Sequence, residues 1–172
     1  MYLIISSSLN PDSKSRKLAY YAKALFEKKG QIINFLDLQD IDMPYCDGSK
    51  CYDSKVSKSI NENIKNADCI LIASPIYNYD LNAAIKNVLE LSGSSWRNKK
   101  VGFLCAAGGY SSYMSPMSFI NSLMLDYRCL VIPRYVYATG KDFDDNFIIG
   151  DEIKDRIEDL VEESIRITSR LA

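Results

Sequence analysis

The run "DCILIA" (residues 68–73) passes directly into "SPIYNYDLNAAIKN" (74–87). An apolar run without polar alternation reads as a strand buried on both faces. The spacing of Leu81, Ala84, Ile85, Val88 and Leu89 within 81–92 predicts an amphipathic helix. Between them, Pro75 is expected to stop the strand, and Asp80 to cap a helix that begins near Leu81. A buried strand leading into a helix is the repeating unit of a parallel sheet covered on both sides.

The rest of the chain repeats that unit. Strands are predicted at 2–6 ("YLIIS"), 31–37 ("QIINFLD"), 100–107 ("KVGFLCAA") and 129–133 ("CLVIP"). Helices are predicted at 15–30, closed by Gly30, then near 55–66 and 115–126, and along the final stretch from Gly150. In that last helix Ile153, Ile157, Leu160, Val161 and Ile165 form one apolar stripe. Five parallel strands joined by right-handed crossovers leave few topologies. The expectation is a flavodoxin-like α/β three-layer sandwich of strand order 2-1-3-4-5. No repeat or linker divides the sequence, so residues 1–172 are read as one domain.

Composition narrows the chemistry. The 172 residues are 47% hydrophobic, enough for one well-buried core. With 21 Lys and Arg against 22 Asp and Glu, no bulk charge favours nucleic acid or an anionic membrane. No apolar run approaches the ~20 residues that cross a bilayer. The start "MYLIISSSLN" lacks a signal peptide's basic flank, so a cytoplasmic location is expected. The chain has no histidine, which removes most hydrolase triads and zinc enzymes. Chemistry here is expected to come from a borrowed cofactor, with no catalytic side chain of its own.

In a sheet of this order, ligands bind beyond the carboxyl ends of the strands, where the strand order reverses. Three loops meet there. The first, "SSSLNPDSKS" (6–15), offers Ser8, Ser13 and Ser15 hydroxyls, the Asn10 amide and a helix N-terminus, a donor set suited to phosphate. Lys14 and Arg16 are expected to add positive charge. Capping alone would need one such residue. The loop has neither G-x-x-x-x-G-K-[ST] nor G-x-G-x-x-G, so a monophosphate is favoured over a pyrophosphate. The second loop supplies Pro75, Ile76, Tyr77 and Asn78, faces and hydrogen-bonding groups for a flat heteroaromatic ligand. The third, Ala107, Gly108, Gly109, Tyr110 and Ser111, has paired glycines that permit close approach and positive φ.

Together these loops resemble the NADPH-dependent FMN reductase family, a flavodoxin-like group of flavin, quinone and azo-compound reductases. The family's first loop reads roughly G-S-x-R-x-x-S-x-N. On it Ser8 and Ser13 match, while Ser7, Asn10 and Ser15 stand for the glycine, arginine and asparagine. Ser74, Pro75, Tyr77 and Asn78 match S-P-x-Y-N, and "IKN" (85–87) matches its following L-K-N. "WRNKKVGFLCAAGG" (96–109) resembles the family's W-x-x-K-x-V strand. A proline usual near position 82 is absent, and the loop at 43–54 has no counterpart in the pattern.

The resemblance implies FMN as cofactor, NADPH or NADH as reductant, and a quinone, flavin, azo compound or similar acceptor served in ping-pong order. It also implies a homodimer or homotetramer. Two alternatives belong to other classes: an electron-transfer flavoprotein reduced by a partner protein, and a redox sensor using Cys46 and Cys51. Those cysteines lie in "CDGSKC" (46–51), whereas Cys69, Cys105 and Cys129 lie in apolar runs. Without histidine there are too few ligands for a structural metal or an iron–sulfur cluster. Two readings of the loop stand side by side, a redox pair and incidental thiols, and the second is favoured because cytosolic disulfides are uncommon.

Overall fold

The computed structural model describes residues 1–144, 146 and 149–171. Strands β1 (Tyr2–Ser6), β2 (Ile33–Asp37), β3 (Cys69–Tyr77), β5 (Lys100–Ala107) and β6 (Leu130–Val131) form a parallel sheet in the order β2-β1-β3-β5-β6. A short β4 (Asp80–Leu81) pairs antiparallel with β3, and β7 (Val136–Thr139) pairs parallel with β5. Counting β6 and β7 as one interrupted strand, this is the expected 2-1-3-4-5 order.

The apolar strands are buried on both faces. Leu3, Ile5, Ile70, Ile72, Val101, Phe103 and Cys105 pack on one side against α2 (Lys55–Asn66), α3 (Ala83–Ser92) and α4 (Met117–Tyr127). Tyr2, Ile4, Leu71, Ala73, Leu104 and Ala106 pack on the other against α1 (Lys14–Lys28) and α5 (Asp151–Arg170). Ile153, Ile157, Leu160 and Val161 of the α5 stripe are fully buried, and Ile165 lies at its partly covered margin. Gly30 ends the first helix at φ +70°, as expected, with its N–H bonded to the Glu27 carbonyl.

Three local expectations are corrected. Pro75 does not stop β3: the strand runs to Tyr77, with Pro75 in register with Ala106. It then turns back through Asn78 (φ +51°) and Tyr79 (φ +62°) into β4. Two successive positive φ values are those of a type I′ hairpin, whose twist matches its flanking strands. Asp80 therefore lies in β4 and caps no helix; α3 begins at Ala83, after Asn82. The last strand extends beyond 129–133, because pairing with β5 resumes at Val136 after the break at Pro133 and Arg134 (φ +61°).

Gly102 sets the spacing between β5 and α5. A Cβ there would lie 2.6 Å from Leu71 Cδ2 and 3.3 Å from Leu160 Cδ1. Gly102→Ala is expected to lower unfolding free energy by about 1–3 kcal/mol through overpacking, measured by urea titration. An unchanged midpoint would mean that Leu71 swings aside freely.

Candidate functional site

The parallel strands end together, so the loops after β1, β3 and β5 emerge at one edge. Ser7 continues the ladder beyond β1, its N–H 2.9 Å from the Ala73 carbonyl. The chain then curls around Arg16, a buried side chain of α1. Its guanidinium donates to the carbonyls of Ser8 (2.6 Å), Asn10 (2.6 Å) and Pro11 (3.1 Å). It also pairs with both Asp37 carboxylate oxygens at the end of β2, at 2.6 and 3.2 Å. Arg16 therefore shapes the loop from within; the expectation that it adds charge to the anion site is corrected.

The hydroxyls of this loop are gathered at the start of α1. Ser13 caps the helix by accepting the Arg16 N–H, and its oxygen lies 2.9 Å from that of Ser15. The Ser8 hydroxyl oxygen accepts the Asn10 N–H, and the Asn10 side-chain Oδ1 accepts the Asp12 N–H. Among the described residues, the Ser8 hydroxyl hydrogen and the Asn10 amide nitrogen donate to no protein group. First-turn helix N–H groups add further donors. Ser8, Ser13 and Ser15 are buried, and Asn10 is exposed. Capping thus uses Ser13 alone among these hydroxyls, and Ser8 and Ser15 lie beside it. Lys14 is turned toward the end of β7, its ammonium 5.4 Å from the Phe143 ring centroid and 3.5 Å from the Cβ position of Gly140.

The first and second loops are joined by Asn82, a buried residue that sequence reasoning missed. Its amide nitrogen donates to the Ser7 carbonyl at 2.6 Å. Its oxygen accepts the hydroxyls of Ser7 (2.7 Å) and Ser74 (3.2 Å). Asn82 has no side-chain capping bond to α3; the side chain is fully used in this cross-loop network. Beyond it the hairpin leaves Tyr77, Asn78 and Tyr79 exposed, while Pro75 and Ile76 are buried. The hairpin is tied to α4 through Asp80, which accepts the Ser118 hydroxyl at 2.7 Å.

The third loop is fixed by Tyr137 of β7, also missed. Its hydroxyl donates to the Gly109 carbonyl at 3.0 Å and shares a hydrogen bond with Ser112 at 2.6 Å. Burial pushes the Tyr137 phenol up, so it stays a donor. Tyr113 stacks on Tyr135 at 5.0 Å and meets Tyr137 edge-on at 5.3 Å. Gly108 and Gly109 do not use the expected positive φ; Gly109 is extended at φ −164°. A Cβ on either would meet nothing within 4 Å. Among the described residues no packing requires glycine there, and Tyr110 and Ser111 beside them are exposed. A separate cavity of about 890 Å³ lies between Pro133–Tyr135 and α5 and shares only Tyr113 with the third loop.

With this geometry in place, comparison with known proteins defines the class. The fold matches that of a flavodoxin from the domain Archaea, with a TM-score of 0.65, 15% identity, and 96% of this chain and 99% of the other covered. It matches more closely a flavoenzyme NAD(P)H:(acceptor) oxidoreductase from Paracoccus denitrificans, with a TM-score of 0.74, 18% identity, and 96% and 97% covered. Residues 2–144 match the model of the NADPH-dependent FMN reductase family, and the chain belongs to that family. An NAD(P)H-dependent FAD/FMN reductase of Geobacillus thermodenitrificans (strain NG80-2) is 30% identical over 139 residues, spanning 78% of this chain and 75% of the relative. An NADPH azoreductase of Bacillus sp. (strain OY1-2) is 26% identical, over 94% and 88%. The chain is an NAD(P)H-dependent oxidoreductase of the flavin, quinone and azo reductase kind.

Arg16→Met would leave the Asp37 carboxylate buried and without its cation. The expected loss is about 3–5 kcal/mol of unfolding free energy, with Arg16→Lys intermediate because an ammonium lacks the planar fork. Denaturant titration of the three proteins checks this; a loss below 1 kcal/mol would show that Asp37 is solvated.

Proposed function

We propose that the chain is an FMN-dependent NAD(P)H oxidoreductase that passes electrons in ping-pong order to a quinone, flavin, azo or similar acceptor. The observation that carries this reading is the meeting, at one sheet edge, of a serine-rich helix N-terminus with two loops that have no internal reason for their composition. Gly108 and Gly109 lack a Cβ where nothing in the chain would touch one. Tyr77 and Tyr79 stand exposed on a rigid hairpin.

Each loop has a role in this proposal. Ser8, Asn10, Ser13 and Ser15, with first-turn N–H groups of α1, would hold the single phosphate, and Lys14 would add positive potential nearby. The backbone of Pro75 and Ile76 and the Tyr77 and Asn78 side chains would meet the ring's edge and one side of its face. Ala107 to Ser111 would approach from the other direction, through the gap left by the two glycines. When bound, FMN supplies the hydride-accepting and electron-donating centre, which explains how a chain without histidine serves a reductase. The protein's share is to fix the ring, hydrogen-bond its edge and keep one face open to both substrates.

A homodimer or homotetramer belongs to the same proposal. Tyr77, Tyr79 and Tyr110 offer more aromatic surface than one flavin covers. Met114, in the turn before α4, and Met117, Met124 and Leu125 of α4 are also exposed. Apolar surface of that extent is characteristic of an interface between subunits.

Ser13→Asp separates binding from capping, because aspartate caps a helix as well as serine does. The expected result is a protein that still folds, by circular dichroism, and an FMN affinity lowered about 100-fold by charge repulsion, read by calorimetry. Equal affinities would remove the phosphate site from this loop. The native, FMN-loaded protein should bleach on anaerobic addition of NADPH or NADH; reduction by dithionite alone would point to a protein electron donor.

Sedimentation should show a dimer or larger assembly at tens of micromolar. Replacing Met124 and Leu125 together by lysine should shift it to monomer. An active native monomer with FMN bound would refute the interface.

A further inference from the structure

The loop between β2 and α2 brings Cys46 and Cys51 together. Their sulfurs are 3.9 Å apart. Closing to a disulfide of about 2.05 Å asks for side-chain rotation and a small backbone adjustment. We infer that Cys46 and Cys51 form a reversible redox site that exchanges with small-molecule disulfides, Cys46 as the attacking sulfur and Cys51 as the resolving one.

The loop is built to hold this pair. Gly48 turns the chain at φ +69°, and the Asp47 carboxylate accepts the N–H groups of Ser49 (2.8 Å) and Cys51 (3.1 Å). Asn87 of α3 clamps the other side, accepting the Cys46 N–H at 2.9 Å and donating to the Pro44 carbonyl at 2.9 Å. The Ser57 hydroxyl donates to the Cys51 carbonyl at 2.7 Å. Both sulfurs are therefore positioned by bonds on either side of them, which incidental surface thiols would not need.

The two cysteines also differ in the way exchange requires. Cys46 is partly exposed, with the Tyr52 hydroxyl 3.5 Å from its sulfur. That hydroxyl and the Gly48 N–H hold the Cys46 thiol below its ordinary value, while the Tyr52 phenol is pushed up to about 12. Of the two groups, the Cys46 thiol is the one favoured to ionise. Cys51 is buried, and burial together with the Asp47 carboxylate raises its thiol. The remaining cysteines are buried and unreactive by comparison: burial pushes Cys69 and Cys129 up to about 11 and Cys105 higher still.

The chemistry balances as thiol–disulfide exchange. The Cys46 thiolate attacks a disulfide RSSR, forming Cys46–S–SR and releasing RS⁻. Cys51 then gives its proton to water and, as thiolate, attacks the Cys46 sulfur, and the second RS group departs as RS⁻ and takes a proton from water. Two cysteine sulfurs are oxidised, and RSSR is reduced to two thiols. Excess RSH reverses both steps.

The test uses the whole native protein with glutathione disulfide as the probe and does not depend on flavin or reductase activity. Five cysteines are present, and free thiols should fall to Cys69, Cys105 and Cys129. Trypsin cuts after Lys50, so peptides holding Cys46 and Cys51 should remain joined only in the oxidised protein. Cys51→Ser should stop at a glutathione adduct on Cys46, and Cys46→Ser should react at least tenfold more slowly. Circular dichroism confirms that each variant is folded. Five persisting thiols in the folded native protein, an adduct on Cys46 that Cys51 fails to resolve, or undiminished reaction of Cys46→Ser would each overturn the inference.

Discussion

A buried guanidinium holds the business end of this molecule in shape. Arg16 sits in α1 but bonds to Asp37 at the end of β2 and to three carbonyls of the loop after β1. Ion pairs taken out of water gain little unless their remaining hydrogen-bonding capacity is met. Here the guanidinium's remaining donors are met by loop carbonyls. Turning carbonyls toward the guanidinium leaves the buried Ser8, Ser13 and Ser15 hydroxyls gathered beside the first turn of α1.

The same logic ties the second and third loops to the first. Asn82 joins Ser7 to Ser74, so the loops after β1 and β3 cannot move apart without leaving buried polar groups unpaired. Asp80 and Ser118 link the hairpin to α4, and Tyr137 holds the Gly109 carbonyl from β7. Each tie runs from a loop to a packed helix or strand. Rigid elements therefore position what the loops present.

How much of this was legible depended on whether the signal was local. Lys100–Ala107 and Lys55–Asn66 fall within the ranges read from sequence, since apolar runs and helical spacing report directly on burial. Pro75 misled because a missing N–H usually ends a strand; here β3 continues at the rim of the sheet, where a hairpin takes over the pairing. β7 escaped because Pro133 and Arg134 look like a terminus, and only pairing with β5 restores the strand. Ser8, Ser13, Ser15 and the hairpin tyrosines were nominated from their chemical types alone. Arg16, Asn82 and Tyr137 act through partners as far as 75 residues away, which no window of sequence displays.

Position 82 shows what one departure from the family pattern accomplishes. The resemblance leads one to expect a proline nearby, and Asn82 has φ −66°, a value proline would hold without strain. A ring would stiffen the backbone at this point but bring no hydrogen-bonding side chain. Asparagine gives up that stiffening and reaches two serines and a carbonyl across the sheet edge. Its own N–H, which proline would lack, lies 3.3 Å from the Ser74 oxygen. Ser7 stands where the family motif has glycine, and it is one of the two serines Asn82 engages. Ser7 and Asn82 act together: the side chain at position 7 supplies the hydroxyl that the side chain at position 82 accepts. The junction is held by a buried polar network in place of backbone restriction, and the hairpin it supports carries Tyr79 in a left-handed conformation that a bulky residue adopts only when its surroundings enforce it.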